Sequence, residues 1–566
     1  MPSCTENITR EGRYDYIIEN RPEYYESINM NPNLCVQMAD NRWLIVHSVL
    51  PYSDLNLSAL GYSTIPKLYE VMDTSSIEAT KATAVTDMPY LNARGQEVLI
   101  GIIDTGIDYL KENFMDSGGN TRIEAIWDQS ADYYDSEQPV LYGRVYNREI
   151  INEAIRAKRN GGNPYDIVSS RDESGHGTFL AGVAASSKLK DYTGVAPESD
   201  LVIVKLKGAK QYLKDYYLVK DDAMVFQEND IMMGVRFISD YADSHNKPLV
   251  LLLGLGTWLG SRTGNSPLAD MLETLTKKKN TAVVVPVGNA AVDKTHFSGY
   301  AGAEDEYKEI EVNVTQRGKG FTMEVWARSL DVLSVSIISP TGEEIPRVPA
   351  RLGVSNEFYF LLEDTTVTVD YQVTEAVSGL EVVFIRFISP AEGIWRVRLY
   401  SLTNLPGFFN SYLTSRNVCD TEIYFLNSDP DTTLTEPSCA TRVISIGAYN
   451  HLTGGSDVNS SRGYTADDKI KPEMVAPGVN VYGVGGVAGY TRMSGTSVAA
   501  AHVAGACALF LSWGVTNNRQ SLIGNSEIKA YLIRGADRRP NMEYPNRIYG
   551  YGTLNIANAF DQMRIS

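Results

Sequence analysis

The sequence is poor in the residues on which several kinds of function depend. Cysteine occurs five times in 566 residues, as Cys4, Cys35, Cys419, Cys439 and Cys507, with no CxxC pair among them. So sparse and odd a set does not read as a disulfide framework or a zinc site. No run of 18 consecutive apolar residues occurs, so no membrane span is expected. Basic charge is outweighed, with 51 Lys and Arg against 69 Asp and Glu and a formal net charge of −18. That field repels phosphate backbones and anionic lipid, so neither nucleic acid nor a membrane is expected as a partner. Residues Met1 to Arg10 are polar and the first longer apolar cluster arises near Trp43, so no signal peptide is read and synthesis in a reducing cytoplasm is expected. Internal repeats and low-complexity tracts are also missing.

What is present is a globular composition, 43 % hydrophobic and 21 % charged, at a length that suits one large domain with accessory domains. Residues 34–38 and 43–46, parted by Ala39-Asp40-Asn41, read as strands of a small α/β unit. Near-continuous apolar runs follow at 98–103, 201–204, 249–253, 282–287 and 443–446, as strands buried on both faces require, with helical patterns at 231–243 and 267–279 between them. Strands alternating with helices imply an α/β domain with a doubly wound parallel sheet. The alternation stops near Gly302 and resumes near Thr441. Between those points apolar residues recur at every second position, as in Ile310, Val312, Val314 and in Trp395, Val397, Leu399, which predicts an inserted β-sandwich, or jelly roll, over 302–427.

Three patterns at element boundaries carry chemistry. Ile102-Ile103-Asp104-Thr105-Gly106 ends a buried strand on an acid; alone, an Asp there is commonly a turn former. Gly175-His176-Gly177-Thr178 opens a small-residue helix, and glycines on both sides allow the backbone to come close to the imidazole. Ser494-Gly495-Thr496-Ser497-Val498-Ala499-Ala500-Ala501-His502 sets Ser497 at the amino end of an apolar helix, where N–H groups and the dipole favour developing negative charge, although a serine there can also be a simple cap.

Asp, His and Ser in this chain order are the arrangement of subtilisin rather than of chymotrypsin or the α/β-hydrolases. The chain resembles the subtilase family of serine endopeptidases over residues 97–302 and 441–559, with supporting segments at Gly194-Val195-Ala196-Pro197, Val287-Gly288-Asn289, Ser460-Ser461-Arg462-Gly463, Lys471 to Gly478 and Tyr549 to Gly552. The resemblance implies that Ser497 attacks the scissile carbonyl, His176 moves its proton, Asp104 orients the imidazole, and Asn289 with the Ser497 N–H forms the oxyanion hole. Gly254-Leu255-Gly256 stands where many subtilases have Ser-Leu-Gly and would pair with an extended substrate backbone. Val498 and Ala501 replace the common Met and Pro. The other histidines, His47, His245, His296, His451 and His502, are read as structural or solvent-facing.

The resemblance further implies an N-terminal α/β prodomain at 1–75, bound in the active-site cleft and cut by the enzyme itself near 67–77, with catalytic segments 76–301 and 428–566. Residues 68–76 are extended-compatible and could thread the active site. Ser497 lies 208 positions after Asn289, an excess that matches the insert. Together with Met88 to Gly95 these features resemble the clostridial spore-germination Csp proteases, which implies limited proteolysis of a protein substrate, the proenzyme of a spore-cortex lytic hydrolase, and deposition in the spore. No cofactor is required for this chemistry. Structural calcium is common in the family, but no EF-hand-like spacing locates a site and no metal ligand is named. Three other readings stay open: a subtilase-like regulator or signal-binding scaffold with little proteolysis, a commensal processing protease acting on other substrates, and an insert that binds carbohydrate through Trp326, Phe358, Tyr359 and Trp395.

Overall fold

The computed structural model describes residues 4–21, 34–49, 51, 56–71, 78–86, 93–133, 137–303, 306–328, 330–351, 354–403, 405–486, 489–516 and 523–565. Most of the segment 88–95 and the stretch 72–77, both singled out in the sequence, lie outside these residues.

Eight strands build the central sheet in the spatial order Met474–Pro477, Ile444–Tyr449, Thr281–Pro286, Leu249–Leu253, Leu99–Asp104, Asp200–Lys205, Ile123–Asp128 and Arg144–Asn147. Neighbours run parallel except for the last pair. Successive side chains of each central strand enter opposite cores. Ile100 and Ile102 share one with the helices His176–Ala185 and Thr496–Thr516, whereas Leu99 and Ile103 share the other with Glu228–Ser244 and Pro267–Leu275. This is the doubly wound arrangement that continuous apolar runs require.

The differences from the sequence reading have local causes. Met474–Pro477 is an edge strand of four residues, too short to show a periodic run. Ile123–Asp128 carries a Glu inside its run, and Arg144–Asn147 is short and half-exposed. The helix expected over 267–279 is capped by Ser266, whose hydroxyl accepts the Ala269 N–H, but stops at Leu275, and Asn280 at φ 55° turns the chain into the next strand. The helix from Thr496 is long and apolar enough to cross a membrane, yet 89 % of its most apolar window is buried inside the molecule, so it is a core element.

At the amino end, Tyr14–Glu19, Trp43–Ser48 and Leu34–Met38 form an antiparallel sheet with the middle strand shared. A disulfide joins Cys4 to Cys35 with Cα atoms 5.4 Å apart, a pairing that the sparse cysteine set does not announce. Cys419, Cys439 and Cys507 are free thiols.

Residues 296–425 hold two further sheets, one of six strands and one of five, closed on a common core that includes Phe321, Phe387 and Trp395. The strand His296–Ala301 belongs to the six-stranded sheet, so this two-sheet unit begins before residue 302. Its alternation is masked by Gly299 and by half-exposed positions, and only its pairing with Gly407–Leu413 assigns it. Trp326 and Trp395 are buried and Phe358 packs against the core, while Tyr359 is exposed. One short strand, Leu68–Val71, links the units: it lies between Leu255–Gly256 on one edge and Phe226–Gln227 on the other, antiparallel to both.

Candidate active site

Asp104 is the last residue of the strand Leu99–Asp104, at the carboxyl edge of the parallel sheet, where α/β folds gather functional groups. His176 is the first residue of its helix and Ser497 the second residue of another, so both stand over helix amino ends. These three side chains, 72 and 321 positions apart in the chain, meet in one hydrogen-bonded row. His176 Nδ1 donates to Asp104 Oδ1 at 2.7 Å, and the Ser497 hydroxyl lies 3.1 Å from His176 Nε2. Asp104 and Ser497 are fully buried and His176 nearly so.

The surroundings fix that row. Asp104 Oδ1 also accepts the Thr105 N–H at 2.8 Å. A side chain at Gly177 would collide with the Gly106 carbonyl, its Cβ falling 2.2 Å from that oxygen, so only glycine lets the histidine helix come this close to the aspartate strand. The sequence reading missed Asp172. Its carboxylate accepts the Thr105 hydroxyl and the Gly175 N–H on one oxygen, and the Thr178 N–H and hydroxyl on the other. It therefore holds the turn that presents His176, and its signal in the sequence is only an acid four residues before the histidine.

Asn289 follows the strand Thr281–Pro286 and faces the start of the Ser497 helix. Its Oδ1 accepts the Thr496 N–H at 3.2 Å, while the Thr496 hydroxyl accepts the Gly288 N–H at 3.1 Å. With the oxygen so engaged, the amide's NH2 end is the donor that Asn289 contributes to this corner. Ser461 adds a brace, accepting the Ala290 N–H on its hydroxyl and donating its own N–H to the Gly288 carbonyl.

Gly254 closes the site from the other side, and Leu255 and Gly256 pair with Val71 and Glu70. The chain of Leu68–Val71 runs antiparallel to 254–256, so it advances toward Gly254 and the Asp104–His176 pair. Glu70 is buried, accepts a 2.7 Å hydrogen bond from the Ser415 hydroxyl, and burial pushes its carboxyl up to about 7. His502, one helical turn after Val498, is buried and bonded to the Val498 carbonyl, and burial lowers it to about 3. It is a structural histidine, as are His47, held by Asp15, and His296, held by Asn410. Among the described residues no group of three or more His, Cys, Asp or Glu side chains is arranged to hold a metal ion.

Comparison with known proteins agrees with this architecture. The chain is 30 % identical to the CspB protease of Clostridium perfringens, whose structure superposes with a TM-score of 0.75 over 87 % of this chain and all of that one. It is 22 % identical over 519 residues to the PII-type proteinase of Lacticaseibacillus paracasei, covering 79 % of this chain but 25 % of the relative, so the chain spans about a quarter of that protein's length. Over 154 residues it is 34 % identical to the serine protease AprX of Bacillus subtilis, covering 24 % of this chain and 33 % of that one. The sequence model of the subtilase family matches residues 95–339 and 420–552, the segments that carry all three residues of the Asp104–His176–Ser497 row, and the chain belongs to that family.

Proposed function

We propose that the protein is a self-processing serine endopeptidase in which Asp104, His176 and Ser497 act as a catalytic triad. The observation that carries this reading is the continuous row from Asp104 through His176 to Ser497, with a strand of the same chain paired into the cleft beside it. In the reaction Ser497 Oγ forms a bond to the scissile carbonyl carbon as its proton passes to His176 Nε2. Asp104 accepts the Nδ1–H throughout, which fixes the tautomer and stabilises the imidazolium. The carbonyl oxygen becomes an oxyanion that takes hydrogen bonds from the Asn289 amide and the Ser497 N–H at the helix amino end. His176 then gives its proton to the leaving amine, and water repeats the cycle on the acyl-serine. The chemistry needs no cofactor beyond these groups.

Residues 1–75 act in this reading as a prodomain whose carboxyl end binds the cleft as substrate and stays as product. The pairs Leu255 with Val71 and Gly256 with Glu70 support it. The pairing runs to Val71 and sets the direction of the chain, so the bond offered to Ser497 is placed beyond Val71 within the 67–77 window. The catalytic domain comprises 76–295 and 428–566, the boundary at 301 being moved by the strand His296–Ala301, with the two-sheet unit as an inserted jelly roll. The likeness to the Csp group supports a processing role in the spore, with the proenzyme of a cortex-lytic hydrolase as substrate. Neither nucleic acid nor membrane enters this reading.

Intact mass of the purified protein beside Ser497→Ala tests it. The wild type should give two fragments, the smaller about 8 kDa by proportion of 62.5 kDa over 566 residues, with a new amino terminus within residues 72–78. Ser497→Ala should remain one chain. An uncut wild type would sink self-processing and favour the regulator reading.

A further inference from the structure

The strand Leu68–Val71 presents neighbouring residues to different bodies. Tyr69 packs in the core of the α/β domain with Phe226 and Leu255. Glu70 ends instead against the two-sheet unit, where Ser415 Oγ donates to Glu70 Oε1 at 2.7 Å and Asn417 lines the same cavity. The cavity around it is also lined by Asp293, His296 and Arg262. Glu70 is 7 % exposed, and among the described residues it has no ion-pair partner; the charged group that bears on it is the carboxyl of Asp293. Arg262 is engaged elsewhere, its guanidinium donating to the carbonyls of Gly260 and Trp258.

We propose that Ser415 and Asn417 form a specificity subsite, built by the two-sheet unit, which selects peptide chains with a neutral hydrogen-bonding side chain at the place of Glu70. The inference rests on the reading of Leu68–Val71 as cleft-bound substrate. A hydroxyl and an amide next to a carboxylate suit glutamine, or a glutamic acid that carries its proton. An ionised carboxylate there loses its hydration without gaining a cation, and an apolar side chain leaves buried polar groups unpaired. The fit explains why an acid stands in the strand without a basic partner: Ser415 satisfies one of its oxygens, and the protonated form relieves the repulsion from Asp293. It also gives the unit a function beyond bracing the fold, because one wall of the cleft belongs to it.

The full chain tests the subsite in cis. Wild type, Glu70→Gln, Glu70→Leu, Ser415→Ala and the double variant Glu70→Leu/Ser415→Ala are synthesised, and the half-time of self-cleavage is followed together with the melting transition. Glu70→Gln should cleave within about threefold of the wild type, and Glu70→Leu and Ser415→Ala about tenfold more slowly, as expected for stranding one buried polar partner. The double variant should be no slower than Glu70→Leu alone, because the interaction is lost once. Wild-type speed in Glu70→Leu with an unchanged melt overturns the subsite. If Glu70→Leu loses its melt, Ser415→Ala decides: slow cleavage with a normal melt supports the subsite and normal cleavage overturns it. An uncut wild type overturns the self-processing reading and the subsite with it, whereas a cut wild type indifferent to position 70 overturns the subsite alone.

Discussion

Gly254 occupies a place where no side chain fits. A Cβ built there would stand 2.4 Å from Asp104 Oδ2 and 2.5 Å from Leu180 Cδ1, with His176 Cε1 at 3.5 Å. Its departure from the Ser-Leu-Gly pattern is thus matched to a tight approach of the strand to the aspartate. Gly254→Ala is expected to tilt the Asp104–His176 pair and to slow self-cleavage about 100-fold, since misplacement of reacting groups by an ångström has that effect; cleavage half-times beside an unaltered melting curve check it. Asn289→Ala should lower the cleavage rate about 10² to 10³-fold without loss of the fold, and a rate near wild type would remove Asn289 from the oxyanion hole. At this scale Asp104, His176 and Ser497 are legible in the sequence because small residues crowd around each. Asp172 is not, because its partners Thr105, Gly175 and Thr178 come from two separate segments and no local pattern marks them.

Leu68–Val71 is a strand by virtue of its partners. The pairing segments Phe226–Gln227 and Leu255–Gly256 are two residues long, too short for any periodicity, so the sequence could suggest an extended segment near the cleft but not its register. The central strands, in contrast, announce themselves, since burial on both faces demands an unbroken apolar run. The strand also carries a pH dependence. Burial raises the Glu70 carboxyl from 4.5 to about 7 in the docked state, so docking favours the protonated form. Its contribution is fully present below about pH 4.5 and is lost as pH rises through about 7, by an amount on the order of 3 kcal/mol for a shift of this size. Retention of the amino-terminal fragment on gel filtration should therefore fall between pH 5 and 8 in the wild type. Glu70→Gln should flatten that slope, and an unchanged slope would assign it to other groups.

Across the whole molecule, the amino-terminal sheet is fastened to the α/β domain by buried charge. Asp15 accepts Lys210 Nζ at 2.9 Å, His47 Nδ1 at 2.6 Å and Gln227 Nε2 at 2.8 Å, while Lys67 pairs with Glu228 at 3.2 Å at the start of the helix Glu228–Ser244. Burial alone would raise the Asp15 carboxyl, but Lys210 and His47 hold it well below the usual carboxylate range. The sign is opposite to that of Glu70: this contribution is present above the ordinary carboxyl pKa and is lost only in strong acid, as pH falls through the depressed value. The two groups together should make retention of the fragment greatest in mildly acidic solution. Lys210→Met strands the Asp15 charge in the interface, a change that typically costs about 3 to 5 kcal/mol. The expected result is a cut chain whose amino-terminal fragment elutes separately, with the cleft open to added peptide. Adding Asp15→Asn to Lys210→Met removes the stranded charge and should return much of the retention. Equal loss in the single and double variants would mean that packing of the sheet, rather than the charge pair, holds the fragment in place.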